Sequence, residues 1–136
     1  MENRHLYRGK RIDNGEWAKG NLIRSNDAEV GYEAIIIPTN DSNMYTKGGS
    51  IGDLGFENWH RVNETTICQC TGYEGIYEKD IFRYEDEDYV IKWSDDSLSW
   101  EATSIFTAES VSLAEFNPDY IDVIGNEIDN PELLEV

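Results

Sequence analysis

Between Ile81 and Ser104 three short β-prone runs follow one another with only a few polar residues between them. Ile81-Phe82-Arg83-Tyr84 and Tyr89-Val90-Ile91-Lys92-Trp93 are rich in β-branched and aromatic residues, which fit a pleated, half-buried surface. Glu85–Asp88 is a charged connection between them. Ser94-Asp95-Asp96-Ser97 is a turn by composition, because Ser and Asp side chains bond to their own backbone neighbours. Leu98–Ser104 is the third run, with Leu98, Trp100 and Ala102 alternating on one face. Connections this short leave no room for a crossover, so the three runs predict an antiparallel meander.

The rest of the chain reads the same way. Asn14-Gly15 is a strong hairpin signal and predicts pairing of residues 6–12 with 16–23. Gly20 inside the second of these runs predicts a bulge or bend. Tyr32–Ile37 predicts a strand that ends at Pro38. Residues 38–58 are rich in Gly, Asn, Asp and Ser and predict a long loop. Val62–Thr71 is β-prone, and Gly72–Gly75 is a turn. Ser110–Phe116 predicts one helical turn, which Pro118 limits. Tyr120–Ile124 predicts a strand closed by Gly125-Asn126. Asn130 as cap, with Pro131 in first position, predicts a short terminal helix. The expected fold is mostly β. An N-terminal β-hairpin lobe covers 1–61, and a small antiparallel SH3-type roll or barrel with a short C-terminal helix covers 62–136.

Charge divides at the same place. Residues 1–61 hold eight Lys/Arg against nine Asp/Glu, whereas residues 62–136 hold three against nineteen. The net charge of −17 opposes binding to a nucleic-acid backbone, which needs clustered cations. It suits either solubility or an acidic interaction surface. No run of 18 apolar residues is present, and no apolar stretch follows the basic N-terminus.

Few residues offer chemistry. Cys68 and Cys70 are spaced too closely for the usual zinc pairs, and no second pair follows, so His5 and His60 gain no thiolate partners from the pattern. Two small buried hydrophobes is the expected role. A Cys68–His60 dyad requires the fold to bring them together. Gly48-Gly49-Ser50-Ile51-Gly52 lacks the Lys-Ser/Thr ending of a phosphate loop. Glu85–Asp88 lacks the alternating ligands and central Gly of a calcium loop. No motif implies a cofactor, and none implies an enzyme.

Several blocks, in order along nearly the whole chain, resemble the YopX-like family of phage and prophage proteins. They are Tyr7-Arg8-Gly9-Lys10 with Gly15-Glu16-Trp17, and Trp59-His60-Arg61-Val62 leading to Glu64–Gly72. Ile76–Ile81 and Val123-Ile124-Gly125-Asn126 with Asn130–Leu134 complete the set. Such proteins usually carry Glu-Gly-Asp where this chain has Glu78-Lys79-Asp80, which predicts a turn needing no positive φ. They usually carry Gly and an aromatic at the places of Cys68 and Cys70, and a longer connection after Gly72. The resemblance implies a mostly β fold with an SH3-type roll. It implies no activity and no catalytic residues.

Together these readings predict a phage-encoded accessory protein, cytoplasmic in the bacterial host, that binds another protein. Glu85, Asp86, Glu87, Asp88, Asp95 and Asp96 would form a negative rim, with Tyr84, Tyr89 and Trp93 as apolar anchors. A sharper version has these carboxylates imitate nucleic-acid phosphates. The alternative is nucleic-acid binding through Arg8, Lys10, Arg11, Lys19 and Arg24. Acidic hairpin ends protect sheet edges, so any self-association is expected through the N-terminal part.

Overall fold

The computed structural model describes residues 2–24, 34–39, 44–46, 54–56 and 58–135. Among them are twelve strands and short 3-10 turns, with no α-helix. The chain forms two compact units, Arg4–Gln69 and Cys70–Val136 with the first three residues.

The first unit is built on a five-stranded antiparallel sheet. Its strands are β1 (Leu6–Lys10), β2 (Trp17–Arg24), β3 (Ala34–Ile37), β6 (His60–Arg61) and β7 (Cys68–Gln69), in the order β6-β3-β2-β1-β7. β1 and β2 are joined by a four-residue loop, Ile12–Gly15. Gly15 N–H donates to Arg11 O at 2.9 Å, and Arg11 N–H donates to Glu16 O at 2.8 Å. Gly15 closes the loop at φ +73°, which costs a glycine nothing. Alternation along β2 turns Ala18 and Leu22 inward, where they pack with Ala34, Ile36 and Val62.

Gly20 is not a bulge. Residues 6–10 pair with 17–21 without a break in register. A Cβ on Gly20 would stand 2.1 Å from the Ile37 carbonyl oxygen, so the glycine admits a neighbouring backbone. The expected strand at 32–37 is β3 over 34–37, and residues 32 and 33 lie outside the described residues. The expected loop 38–58 contains a paired strand couple, β4 (Met44–Thr46) with β5 (Leu54–Phe56). The run Gly48–Gly52 also lies outside the described residues.

Residues 62–69 belong to this first unit for reasons of hydrogen bonding. Val62 N–H donates to Ala34 O, and Asn63 N–H donates to Lys10 O. Asn63 caps a 3-10 turn over Glu64–Thr66. The Thr66 hydroxyl accepts from Lys10 N–H at 2.8 Å, and Cys68 then pairs with Arg8.

The second unit is a five-stranded antiparallel sheet in the order β11-β10-β9-β8-β12. Its strands are β8 (Asp80–Tyr84), β9 (Glu87–Ser94), β10 (Ser99–Ser104), β11 (Ser110–Ser112) and β12 (Asp122–Asn126). β8, β9 and β10 are the expected meander. Phe82, Ile91 and Ala102 share one face and are fully buried with Ile76, Leu113 and Phe116. Phe116 sets its ring edge-to-face on Phe82, Tyr84 and Tyr89, at centroid distances of 5.3, 4.9 and 5.0 Å.

Several boundaries differ from expectation. Leu98 is not in β10 but ends the four-residue loop 95–98, at φ +52° and exposed. Ser110–Phe116 divides into β11 and a 3-10 turn at Leu113–Glu115, capped by the Ser112 hydroxyl. Tyr120 ends a separate 3-10 turn, and β12 begins at Asp122. The terminal element is one 3-10 turn, Pro131–Leu134. The Asn130 side chain does not cap it, and instead accepts from Asn126 N–H at 3.2 Å. Lys79 has φ +71°, so the turn 77–80 does hold a positive φ where the YopX-like pattern has glycine.

Candidate functional site

The β8–β9 hairpin turns in two residues, Glu85 and Asp86, at φ +51° and +65°. Positive φ at both places is the mark of a type I′ turn, normally filled by Asn-Gly. The acidic run is therefore split. Glu85 and Asp86 form the exposed tip, while Glu87 and Asp88 lie on β9 and take local partners. Glu87 accepts from the Tyr89 hydroxyl at 2.9 Å and from the Ser104 hydroxyl at 2.7 Å. Burial, and then this bond to Glu87, pushes the Tyr89 hydroxyl above its ordinary range. Arg83 grips Asp88 with two bonds of 2.8 and 3.2 Å, and that pairing raises the Arg83 pKa.

Beside this tip lies the β10–β11 loop, residues 105–108, where Ile105 N–H donates to Asp88 O at 3.0 Å. An open groove of about 660 Å³ runs between the two tips and the C-terminal turn. Its apolar lining is Ile105, Phe106 and Leu133, and its charged lining is Arg83, Glu85–Asp88 and Glu135. Phe106 is 79% exposed, an unusual state for a phenyl ring.

Asp95 and Asp96 stand beyond the other end of β9, a strand that spans roughly 24 Å from Glu87 to Ser94 at the usual rise. They do not join Glu85–Asp88 in one rim. Trp93 Nε1–H donates to Asp95 at 3.0 Å, and its ring meets Trp100 edge-to-face at 5.1 Å. Tyr84 and Tyr89 pack against the core. These six carboxylates thus form two separate groups and not one continuous stripe. Ile105, Phe106, Leu133 and Glu135 escaped the sequence reading. Phe106, an aromatic amid Thr, Ala, Glu and Ser, was the one local signal.

The five candidate cations are also divided. Arg8 faces Lys19 across the β1–β2 pair and Lys10 faces Trp17, so Arg8, Lys10, Lys19 and Trp17 share one face. The Arg8 guanidinium lies 4.5 Å from the Trp17 ring centre and the Lys10 ammonium 5.4 Å. Arg11 binds Asp13 through two bonds of 2.9 and 2.7 Å. Arg24 takes the opposite strand parity and stands 4.0 Å from Glu64.

Cys68 and Cys70 are buried, and their thiols donate weakly to the carbonyls of Thr66 and Tyr73. His60 pairs with Ile36 on β3, whereas Cys68 pairs with Arg8 on β1 and turns its thiol to the Thr66 carbonyl, so no described contact joins them in a dyad. Among the described residues no three His, Cys, Asp or Glu side chains converge on a point that would hold a metal. No helix there is long and apolar enough to cross a membrane.

The family model described as YopX protein matches residues 6–135, which takes in both sheets and the terminal turn. The chain belongs to the YopX family. No curated protein matches it, and no solved structure does.

Proposed function

We propose that this YopX-family protein is a phage- or prophage-encoded binding module without catalytic activity. It acts in the host cytoplasm, and its acidic unit docks a basic, apolar-anchored segment of a partner protein. Its second sheet is read as the strands of an SH3-type roll. The observation that carries the proposal is the groove at the β8–β9 tip. Ile105, Phe106 and Leu133 form an apolar floor there, beside the carboxylates of Glu85, Asp86 and Glu135. Residues 70–136 hold three Lys/Arg against eighteen Asp/Glu, so the surrounding field attracts cations over a wide area. An apolar anchor within a charged rim is the usual anatomy of a salt-sensitive interface.

The test is capture from host and phage-infected lysates at low and high salt with the wild type, Phe106→Ala and the double variant Glu85→Gln/Asp86→Asn. A basic partner held by the wild type, released by salt and lost with Phe106→Ala supports the reading. A partner retained equally by all three proteins overturns it, as does the absence of any partner from both lysates.

A second reading has Arg8, Lys10 and Lys19 bind nucleic-acid phosphates, with Arg11 and Arg24 contributing at a distance. The shared face of the first three with Trp17 favours it, and the burial of Arg8 leaves Lys10 and Lys19 to make the contacts. A low-salt gel shift with no retarded species ends it. Self-association through the N-terminal part is proposed on the same terms, and a monomeric mass in solution refutes it.

A further inference from the structure

The far end of the β9–β10 hairpin carries apolar surface that the core does not use. Trp93 and Trp100 face each other across the register, two residues beyond the buried pair Ile91 and Ala102. Trp100 leans on the core, whereas Trp93 is 45% exposed. Their rings stand at 74° with centroids 5.1 Å apart, so they present two planes near a right angle. The Trp93 Nε1–H bond to Asp95 holds that indole in place, so it has little rotational freedom to lose on binding. Leu98 ends the loop between the two strands. It is 74% exposed at φ +52°, a conformation that glycine adopts freely and leucine rarely. Neither that exposure nor that backbone favours folding, and strain kept without a structural return points to function. Asp95 and Asp96 are exposed in the same loop. Lys92 lies on the other face by strand parity, opposite Glu101.

We infer that this hairpin end docks a proline-rich segment of a partner protein, one that carries Lys or Arg among its prolines. Charge selects the cations. Asp95 and Asp96 stand beside the indoles, within residues 70–136, which hold three Lys/Arg against eighteen Asp/Glu. Cations are drawn to such a surface, and nucleic acid or an anionic membrane is repelled. A second copy of the chain would set the same two aspartates against each other. Area selects the prolines. Three apolar side chains offer too little contact to order a flexible segment, because immobilising it cancels much of the gain. A polyproline II helix arrives already ordered, and its rings pack on aromatic surfaces. The patch lies at the opposite end of β9 from the groove at Phe106, so the two readings can fail separately.

The probe is the synthetic peptide Pro-Pro-Arg-Pro-Pro-Arg-Pro-Pro, titrated into the intact chain and followed by NMR at the indole N–H resonances. A control peptide has alanine in place of every proline. The expected result is a saturable shift at Trp93 and Trp100 that salt weakens, and at least tenfold weaker binding of the control. Leu98→Gly separates docking from folding. It removes an exposed apolar side chain and relieves the positive φ, so the urea midpoint should hold or rise. Peptide affinity should meanwhile fall about tenfold, the worth of partly burying a leucine. Absence of a saturable shift overturns the inference, as does a control peptide that binds equally well. Shifts centred on Ile105 and Phe106 put the peptide in the groove and overturn it too. So does an affinity untouched by Leu98→Gly, or a Leu98→Gly protein less stable than the wild type, since the leucine would then serve the fold.

Discussion

Lys79 is the residue whose replacement tests the structure most directly. It is the third residue of a turn closed by Asp80 N–H donating to Tyr77 O at 3.1 Å. Positive φ at the third place alone marks a type II turn, which favours glycine there. Here a lysine is held at φ +71° from two sides. Its N–H donates to Ile91 O on β9, and its carbonyl accepts from Glu127 N–H, both at 2.9 Å. Such a conformation persists only where the surroundings fix it. Holding a side-chain-bearing residue there costs roughly 1–2 kcal/mol. Glycine would remove that cost but add about 0.5–1 kcal/mol of unfolded-chain entropy. Lys79→Gly is thus expected to stabilise the protein by about 0.5–1 kcal/mol. Lys79→Ala removes the same charge and side-chain stem but keeps the strain, so it should be neutral or destabilising. The difference between Gly and Ala isolates the backbone.

The assay is urea unfolding followed by tryptophan fluorescence, since Trp93 and Trp100 both lie in the affected unit. The midpoint should rise with Lys79→Gly at an unchanged slope. Gly75 supplies the converse. It sits at φ +75° with nothing within 4 Å of an added Cβ, so Gly75→Ala has conformation as its only cost. That cost should be about 1 kcal/mol. If Lys79→Gly is no more stable than Lys79→Ala, or if Gly75→Ala is neutral, the strain argument is wrong.

The loop 105–108 repeats the hydrogen bonding of 12–15, with Ala108 at φ +63° in the place of Gly15. Ala108→Gly should raise the urea midpoint by a similar amount. Gly20→Ala should destabilise by at least ~2 kcal/mol, because the clash is with backbone and cannot be relieved by a rotamer. A melting temperature unchanged from wild type would refute it. Phe82→Ala, at a fully buried ring with stacked and edge contacts, should cost about 3–5 kcal/mol in the same denaturation assay. His60 is depressed below its ordinary 6.5, so the unfolded chain binds the proton more tightly than the folded one. Stability should therefore fall as pH drops below about 6.5 and level off once the folded imidazole is protonated. His60→Gln should remove that part of the pH dependence in melts at a series of pH values.

The meander was legible because Phe82, Ile91, Ala102 and Trp100 keep a two-residue period with β-prone neighbours. Its edges were less so. Leu98 continues the apolar alternation of Trp100 and Ala102, and nothing in a leucine signals a positive φ. Glu87 and Asp88 read as loop by charge, yet each carboxylate has a donor on the sheet, and β9 starts with them. Three four-residue hairpin loops end in Gly15, Leu98 and Ala108, and the first alone announces itself. The groove was illegible for a different reason. Phe106 and Leu133 lie 27 positions apart, and only the fold places both beside Glu85.

The same accounting explains why counting charges said so little about function. Of the acidic run, half is committed to Tyr89, Ser104 and Arg83, and so serves the sheet. What remains for a partner is Glu85, Asp86 and Glu135, few in number but set around exposed apolar side chains. Of the N-terminal cations, Arg11 and Arg24 already face carboxylates, and Arg8 lies against an indole. Charge that is matched within the fold adds little to an interface, because its field is cancelled at short range. The places able to act on other molecules are therefore those where apolar surface and charge of one sign coincide. The groove at Phe106 in the second unit is such a place.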